Sequence, residues 1–128
     1  MNVRKAVWFE IYVDDIERAA KFYEHVLNTK LEPISDPSSQ ETKMMSFPGD
    51  MKMEMYGANG ALVQMNGVKA GAGGTLIYFH SEDCLTEESR VVSAGGRIVK
   101  PKMSIGEYGF ISLCLDTESN MFGFHSMS

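Results

Sequence analysis

The chain has 128 residues, 44% of them apolar and 23% charged, with a net charge of −5, which is the profile of one soluble globular domain and excludes a disordered or fibrous chain. The acidic balance and scattered lysines leave no basic stripe to neutralise phosphates, which argues against a nucleic-acid partner. No apolar run reaches the about 18 residues of a membrane-spanning helix, and the N-terminus shows no signal-peptide pattern. Cys84 and Cys114 are too few and too far apart for a disulfide framework or a zinc ribbon. They read as reduced, buried thiols, and the cytoplasm is the expected compartment.

Lys5 to Val13 is rich in β-branched and aromatic residues and too short for a helix, so it predicts a strand. Asp14 and Asp15 are N-cap residues for the stretch that follows, where Ile16, Ala19, Ala20, Tyr23, Val26 and Leu27 recur at helical spacing. Asn28 suits the left-handed end of that helix. Strands are predicted at 30–34 and 42–47 around a turn-rich stretch, Ser35 to Gln40, and again at 60–65. The glycine-rich segment 67–73 reads as a linker. Beyond it the order returns: a strand at 75–81, caps at Glu82 and Asp83, a helix over 84–94 closed by Gly95-Gly96, and strands at 97–100, 108–115 and 121–126. Displacing one half by 68 residues pairs Asp15 with Asp83 and Pro33 with Pro101, and superposes the strand-to-helix junctions. The matching order of elements predicts one domain, 1–128, made by duplication of a βαβββ unit over 1–66 and 74–128.

The stretches Trp8 to Ala19, Phe22-Tyr23, Phe47-Pro48-Gly49, Gly60 to Val63, Gly74 to Tyr78, Ala94-Gly95-Gly96, Pro101-Lys102, Ile105 to Gly109 and Asp116 to Asn120 resemble the vicinal-oxygen-chelate superfamily. That superfamily includes glyoxalase I, extradiol dioxygenases and bleomycin-resistance proteins, and the chain is most similar to the subset described as related to lactoylglutathione lyase. The resemblance covers nearly the whole chain. It implies an α+β fold in which tandem βαβββ units form curved mixed sheets around a cleft, commonly in a homodimer. Metalloenzymes of the superfamily take His or Glu ligands from the first and last strand of each unit, leaving open positions for a substrate's paired oxygens. Carried over position by position, the ligand sites fall on Trp8, Leu76, Gly123, and Ala61 or Leu62, none of which binds a metal. The expectation is therefore no metal ligand set and no cofactor.

Strand alternation brings other polar residues to the same face. Glu10, two residues beyond Trp8, His80, beyond Leu76, and His125, beyond Gly123, form a candidate catalytic trio of one carboxylate and two imidazoles. Each also reads as an ordinary hydrogen-bonded residue near a strand end. Trp8, Tyr12, Tyr78, Phe110 and Phe124 are candidates to line an aromatic ligand site, with core packing as the alternative. Met44, Met45, Met51, Met53, Met55 and Met65 suit a surface that adapts to varied apolar ligands, or a core filler. The alternating segment 51–56 reads as a hairpin arm or a lid. Two functions stay open: a metal-free protein that binds a small organic ligand, and a metal-dependent lyase, isomerase or related enzyme with a relocated site at Glu10, His80 and His125.

Overall fold

The computed structural model describes residues 3–36, 39–49 and 56–128. Its elements are β1 (Ala6–Tyr12), α1 (Ile16–Leu27), β2 (Glu32–Asp36), β3 (Ser39–Ser46), β4 (Asn59–Gln64), β5 (Thr75–His80), α2 (Cys84–Val91), β6 (Arg97–Ser104), a 3₁₀ turn at Gly106–Tyr108, β7 (Phe110–Leu115) and β8 (Met121–Ser126). This is the expected α+β architecture, βαβββ twice over. The chain divides into two compact units, Trp8–Thr75 and Leu76–Ser128, the second joined by the N-terminal stretch up to Val7. That stretch is held by the Lys5 carbonyl, which accepts from the His80 N–H at 2.9 Å, and by an Arg4–Glu87 ion pair of 3.1 Å. The segment Met51 to Met55, part of the proposed arm or lid, lies outside the described residues.

In the first unit the strand order is β2-β3-β4-β1. β1 and β4 run parallel, with Glu10 opposite Ala61 and Tyr12 opposite Val63. α1 begins where the sequence places it, because Asp15 accepts from the Arg18 N–H at 3.1 Å. Gln64 adds a second cap from β4 by accepting from the Ile16 N–H at 2.8 Å. The helix ends at Asn28, which is left-handed at φ 51°. Its inner face packs Ile16 and Ala20 on Val13, Leu31 and Leu62, with Ile11, Tyr23, Met45 and Phe47 around them. Alternation therefore commits Phe9 and Ile11 to the α1 side of β1 and Trp8, Glu10 and Tyr12 to the other.

In the second unit the order is β5-β8-β7-β6. Asp83 caps α2 through the Leu85 N–H at 3.0 Å, at the position that the duplication pairs with Asp15. The exposed Asp83 carboxyl lies below the usual carboxylate range, chiefly because the Lys102 ammonium donates to it at 2.8 Å. Both outer strands carry a proline, Pro33 in β2 and Pro101 in β6, where a missing N–H spoils no ladder.

Several boundaries differ from the expectation. β2 and β3 extend through most of the turn-rich stretch to Asp36 and from Ser39, with a register shift at Ser35/Asp36. α2 stops at Val91, three residues early, and 92–95 form a turn closed by the Gly96 N–H on the Val91 carbonyl, with Gly95 at φ 100°. β6 runs to Ser104 rather than Lys100, accommodating Pro101 by register shifts against β7. The glycine-rich segment is tied down: the Tyr12 N–H donates to the Gly74 carbonyl at 2.7 Å, and Asp14 accepts from the Ala70 N–H at 3.2 Å. No helix among the described residues is long and apolar enough to cross a membrane.

Candidate functional site

On the face of the first unit turned away from α1, one strand builds a polar constellation from alternate residues. The Trp8 indole N–H donates to Glu10 Oε2 at 3.0 Å, and the Tyr12 hydroxyl donates to Glu10 Oε1 at 2.7 Å. Glu10 is only 9% exposed. Its carboxyl is pushed above the ordinary 4.5, first by burial and further by the negative charge of Asp36, while the bonds from Tyr12 and Trp8 pull the other way. Its described hydrogen-bond partners both belong to its own strand. Burial of an acid together with a raised pKa is a signature of functional sites more than of structural ones.

This shift has a consequence for stability. A carboxyl whose folded pKa lies above its unfolded value binds protons more tightly in the native state, so its contribution is fully present below about 4.5 and is lost as pH rises through the folded value. Urea unfolding across that window will show the protein losing stability with rising pH relative to Glu10→Gln, in which this contribution cannot titrate. Parallel pH profiles for the two proteins would refute the raised value.

The other candidate residues lie in the second unit. His80 and His125 are register partners on the adjacent parallel strands β5 and β8, so the structure sets these two side by side. His125 Nε2 contacts the Tyr108 carbonyl at 2.6 Å, and His80 Nε2 lies 3.6 Å from the exposed Glu82 carboxylate. Glu10 belongs to the first unit, with Trp8 and Tyr12 as its partners.

Tyr78 is buried, 5% exposed. It sits opposite Gly123, and a Cβ built on Gly123 would meet its ring carbons at 2.5 and 2.6 Å. The ring thus takes the space that a side chain at 123 would need.

Phe110 and Phe124 lie on the α2 side of their sheet, away from the face of Tyr78 and His125. Phe124 is the register partner of Ser112, whose hydroxyl donates to Glu88 of α2 at 2.8 Å. Phe110 is opposite Ser126, whose hydroxyl accepts from the Cys84 N–H at the start of α2 at 3.0 Å. Lys102 covers the Phe110 ring at 4.7 Å, and Phe124 meets Phe122 edge-on at 5.3 Å. One step along a strand reverses the face, so Phe124 does not share the side of Gly123 and His125. Cys84 and Cys114 are free and buried on this same side, and burial raises both thiols.

Strand register also resolves the choice between Ala61 and Leu62. Ala61 pairs with Glu10 as Gly123 pairs with Tyr78, and Leu62 belongs to the α1 core. The four positions that the resemblance assigns to metal ligands are therefore Trp8, Leu76, Ala61 and Gly123. They offer no imidazole and no carboxylate, so these residues do not fit a divalent ion. Among the described residues no group of three or more His, Cys, Asp or Glu side chains could hold one.

Asp36 was not foreseen, nor was Glu88, a buried acid on α2. Asp36 falls in a stretch whose composition signals a turn, and only the folded unit brings its charge within reach of Glu10. Glu88 lies on the inner side of a short helix among polar neighbours, where no apolar period marks it.

Comparison with known structures gives the same fold. The hypothetical protein BH1468 from Bacillus halodurans C-125 superposes with a TM-score of 0.73 at 14% identity, over 99% of this chain and 96% of that one. A variant of the Streptomyces coelicolor methylmalonyl-CoA epimerase in complex with 2-nitronate-propionyl-CoA gives 0.71 at 12% identity, over 97% of each chain. A hypothetical protein from Methanosarcina mazei gives 0.62 at 12%, over 97% of this chain and 94% of that one. Identities this low carry the fold alone. No match was found among curated proteins. The family described as the Glyoxalase/Bleomycin resistance protein/Dioxygenase superfamily matches residues 5–124, and the chain belongs to it.

Proposed function

We propose that this superfamily member binds a small organic ligand on the α1-free face of its first unit, with Glu10 as the polar anchor and without the four-ligand metal centre. The observation that carries the reading is the buried Glu10 carboxyl, held at each oxygen by an aromatic donor of its own strand. The lack of donors at Trp8, Leu76, Ala61 and Gly123 supports its independence from a metal at that centre. The half-buried Met44, opposite Val63 in the register, adds an adaptable apolar neighbour on that face. The relation to lactoylglutathione lyase rests on the motifs quoted above, and the epimerase likeness adds acyl thioesters to the ligands worth screening.

The test is thermal unfolding of the whole chain against a library of small organic acids, amines, amides and acyl thioesters, with and without EDTA. A ligand at about 100 times its Kd stabilises the native state by about 2.7 kcal/mol. The expected result is a raised midpoint that survives EDTA and is lost in Glu10→Gln. A shift abolished by EDTA, or one untouched by Glu10→Gln, would refute the reading.

A further inference from the structure

The hydrogen-bond inventory around Glu10 specifies the chemistry of what the site can take. An ionised carboxylate only accepts, and each of its oxygens has more than one acceptor direction. The Trp8 N–H and the Tyr12 O–H, the donors that the strand itself presents, are already spent on it, one on each oxygen. What Glu10 retains towards a ligand is acceptor capacity. A ligand that only accepts, such as a carboxylate or a phosphate, finds these two described donors engaged and meets a buried negative charge.

Two further features have the same sign. Asp36, from β2, is close enough for its charge to act on Glu10, in a setting where burial weakens solvent screening. Trp8 and Tyr12 flank Glu10 at two residues on either side along the same strand face, which supplies π surface next to the carboxylate. A cation between a carboxylate and aromatic rings gains from both.

We infer that the Trp8–Glu10–Tyr12 face, with Asp36 beside it, recognises an organic cation carrying N–H donors, of the amidinium, guanidinium or alkylammonium class. This rests on the ligand-binding reading above and narrows it. Such a ligand donates to the remaining acceptor directions of Glu10, opposes the effect of the Asp36 charge on it, and leaves both native hydrogen bonds in place. It binds the ionised form of Glu10, so its affinity rises with pH through the raised titration of that carboxyl.

The sequence contains a single tryptophan, and it is Trp8, so the site carries its own fluorescent reporter. The probes are benzamidinium, benzamide and benzoate, matched in size and differing in charge, titrated into the whole chain from pH 5 to pH 8 and followed by Trp8 emission and by calorimetry. Benzamidinium is expected to bind in preference to the other two and more tightly as pH rises. Glu10→Gln should weaken it about tenfold, the scale of one charge-assisted hydrogen bond, and remove the pH dependence. Asp36→Asn should weaken it about threefold through charge alone, and because Asp36 is only half-buried this variant tests the idea even if Glu10→Gln folds poorly. Benzamide or benzoate binding as tightly as benzamidinium, or an affinity indifferent to pH, would overturn the cation assignment while leaving a ligand site at Glu10. No binding of any of the three would overturn the assignment together with the site.

Discussion

Replacing Glu88 by alanine will lower the unfolding free energy by about 3 kcal/mol, the scale expected when buried donors lose their acceptor. Glu88 sits on α2 with only 6% exposure, and one of its oxygens, Oε1, serves two elements at once. It accepts from the Ser112 hydroxyl of β7 at 2.8 Å and from the backbone N–H of Lys102 in β6 at 2.6 Å. Removing it strands a main-chain donor between helix and sheet. The Ser112 hydroxyl can turn towards the Lys100 carbonyl, but that contact is already 3.5 Å long. Glu88→Gln keeps a carbonyl acceptor and should recover most of the loss. Urea midpoints at unchanged m-value measure both. An alanine variant no less stable than one at the exposed Glu118 would show that the network contributes nothing. Glu88 thus joins α2 to two strands, whereas the described partners of Glu10 lie on its own strand.

Gly123→Ala is the second large effect. The added carbon would stand 2.5 Å from Tyr78 Cδ1 and 3.0 Å from the Ser112 carbonyl, distances that force the ring or the strand to move. Overpacking of this kind costs about 1–3 kcal/mol. Because the ring is the nearest obstacle, the penalty should be coupled to it: in a Tyr78→Ala background the extra methyl should cost little, giving an interaction energy of about 1 kcal/mol or more in a double-mutant cycle. Purely additive effects would mean that the ring is not what fills the space. Gly123→His, which restores a ligand-type residue at the family position, should be worse still, since the larger side chain meets the same ring.

Much of the fold was legible because its signals are local. Asp15, Asp83 and Asn28 act at the helix ends where their chemistry suits them, and the apolar period of α1 marks the face that meets the sheet. The absence of metal-binding side chains at Trp8, Leu76 and Gly123 could be read without coordinates, since it needs only strand ends to count from. What the sequence could not supply is register and sidedness. Phe110 and Phe124 look like ligand-lining aromatics until the bonds of Ser112 and Ser126 to α2 place them on the helix side. Asp36 sits in a segment of Ser, Asp and Pro, residues that ordinarily signal a turn, and it becomes relevant to Glu10 only once the unit is folded. The hydrogen bonds at Glu10 were implicit in the spacing of Trp8, Glu10 and Tyr12, but burial, which decides the state of the carboxyl, is a property of the whole unit.

The strand orders also say something about how the chain reaches this state. In each unit the strand that opens the βαβββ run lies against the one that ends it, β1 on β4 and β5 on β8, both parallel. The β2–β3 and β6–β7 pairs join neighbours in the sequence and close short loops. The parallel pairs close loops of some forty residues or more, so their entropy must be met before any contact rewards it. Assembly of each unit is therefore expected to run from its hairpin inward and to finish at the parallel seam. In the first unit that seam holds Glu10 opposite Ala61, so the surroundings of the Glu10 carboxyl are completed only with the last pairing.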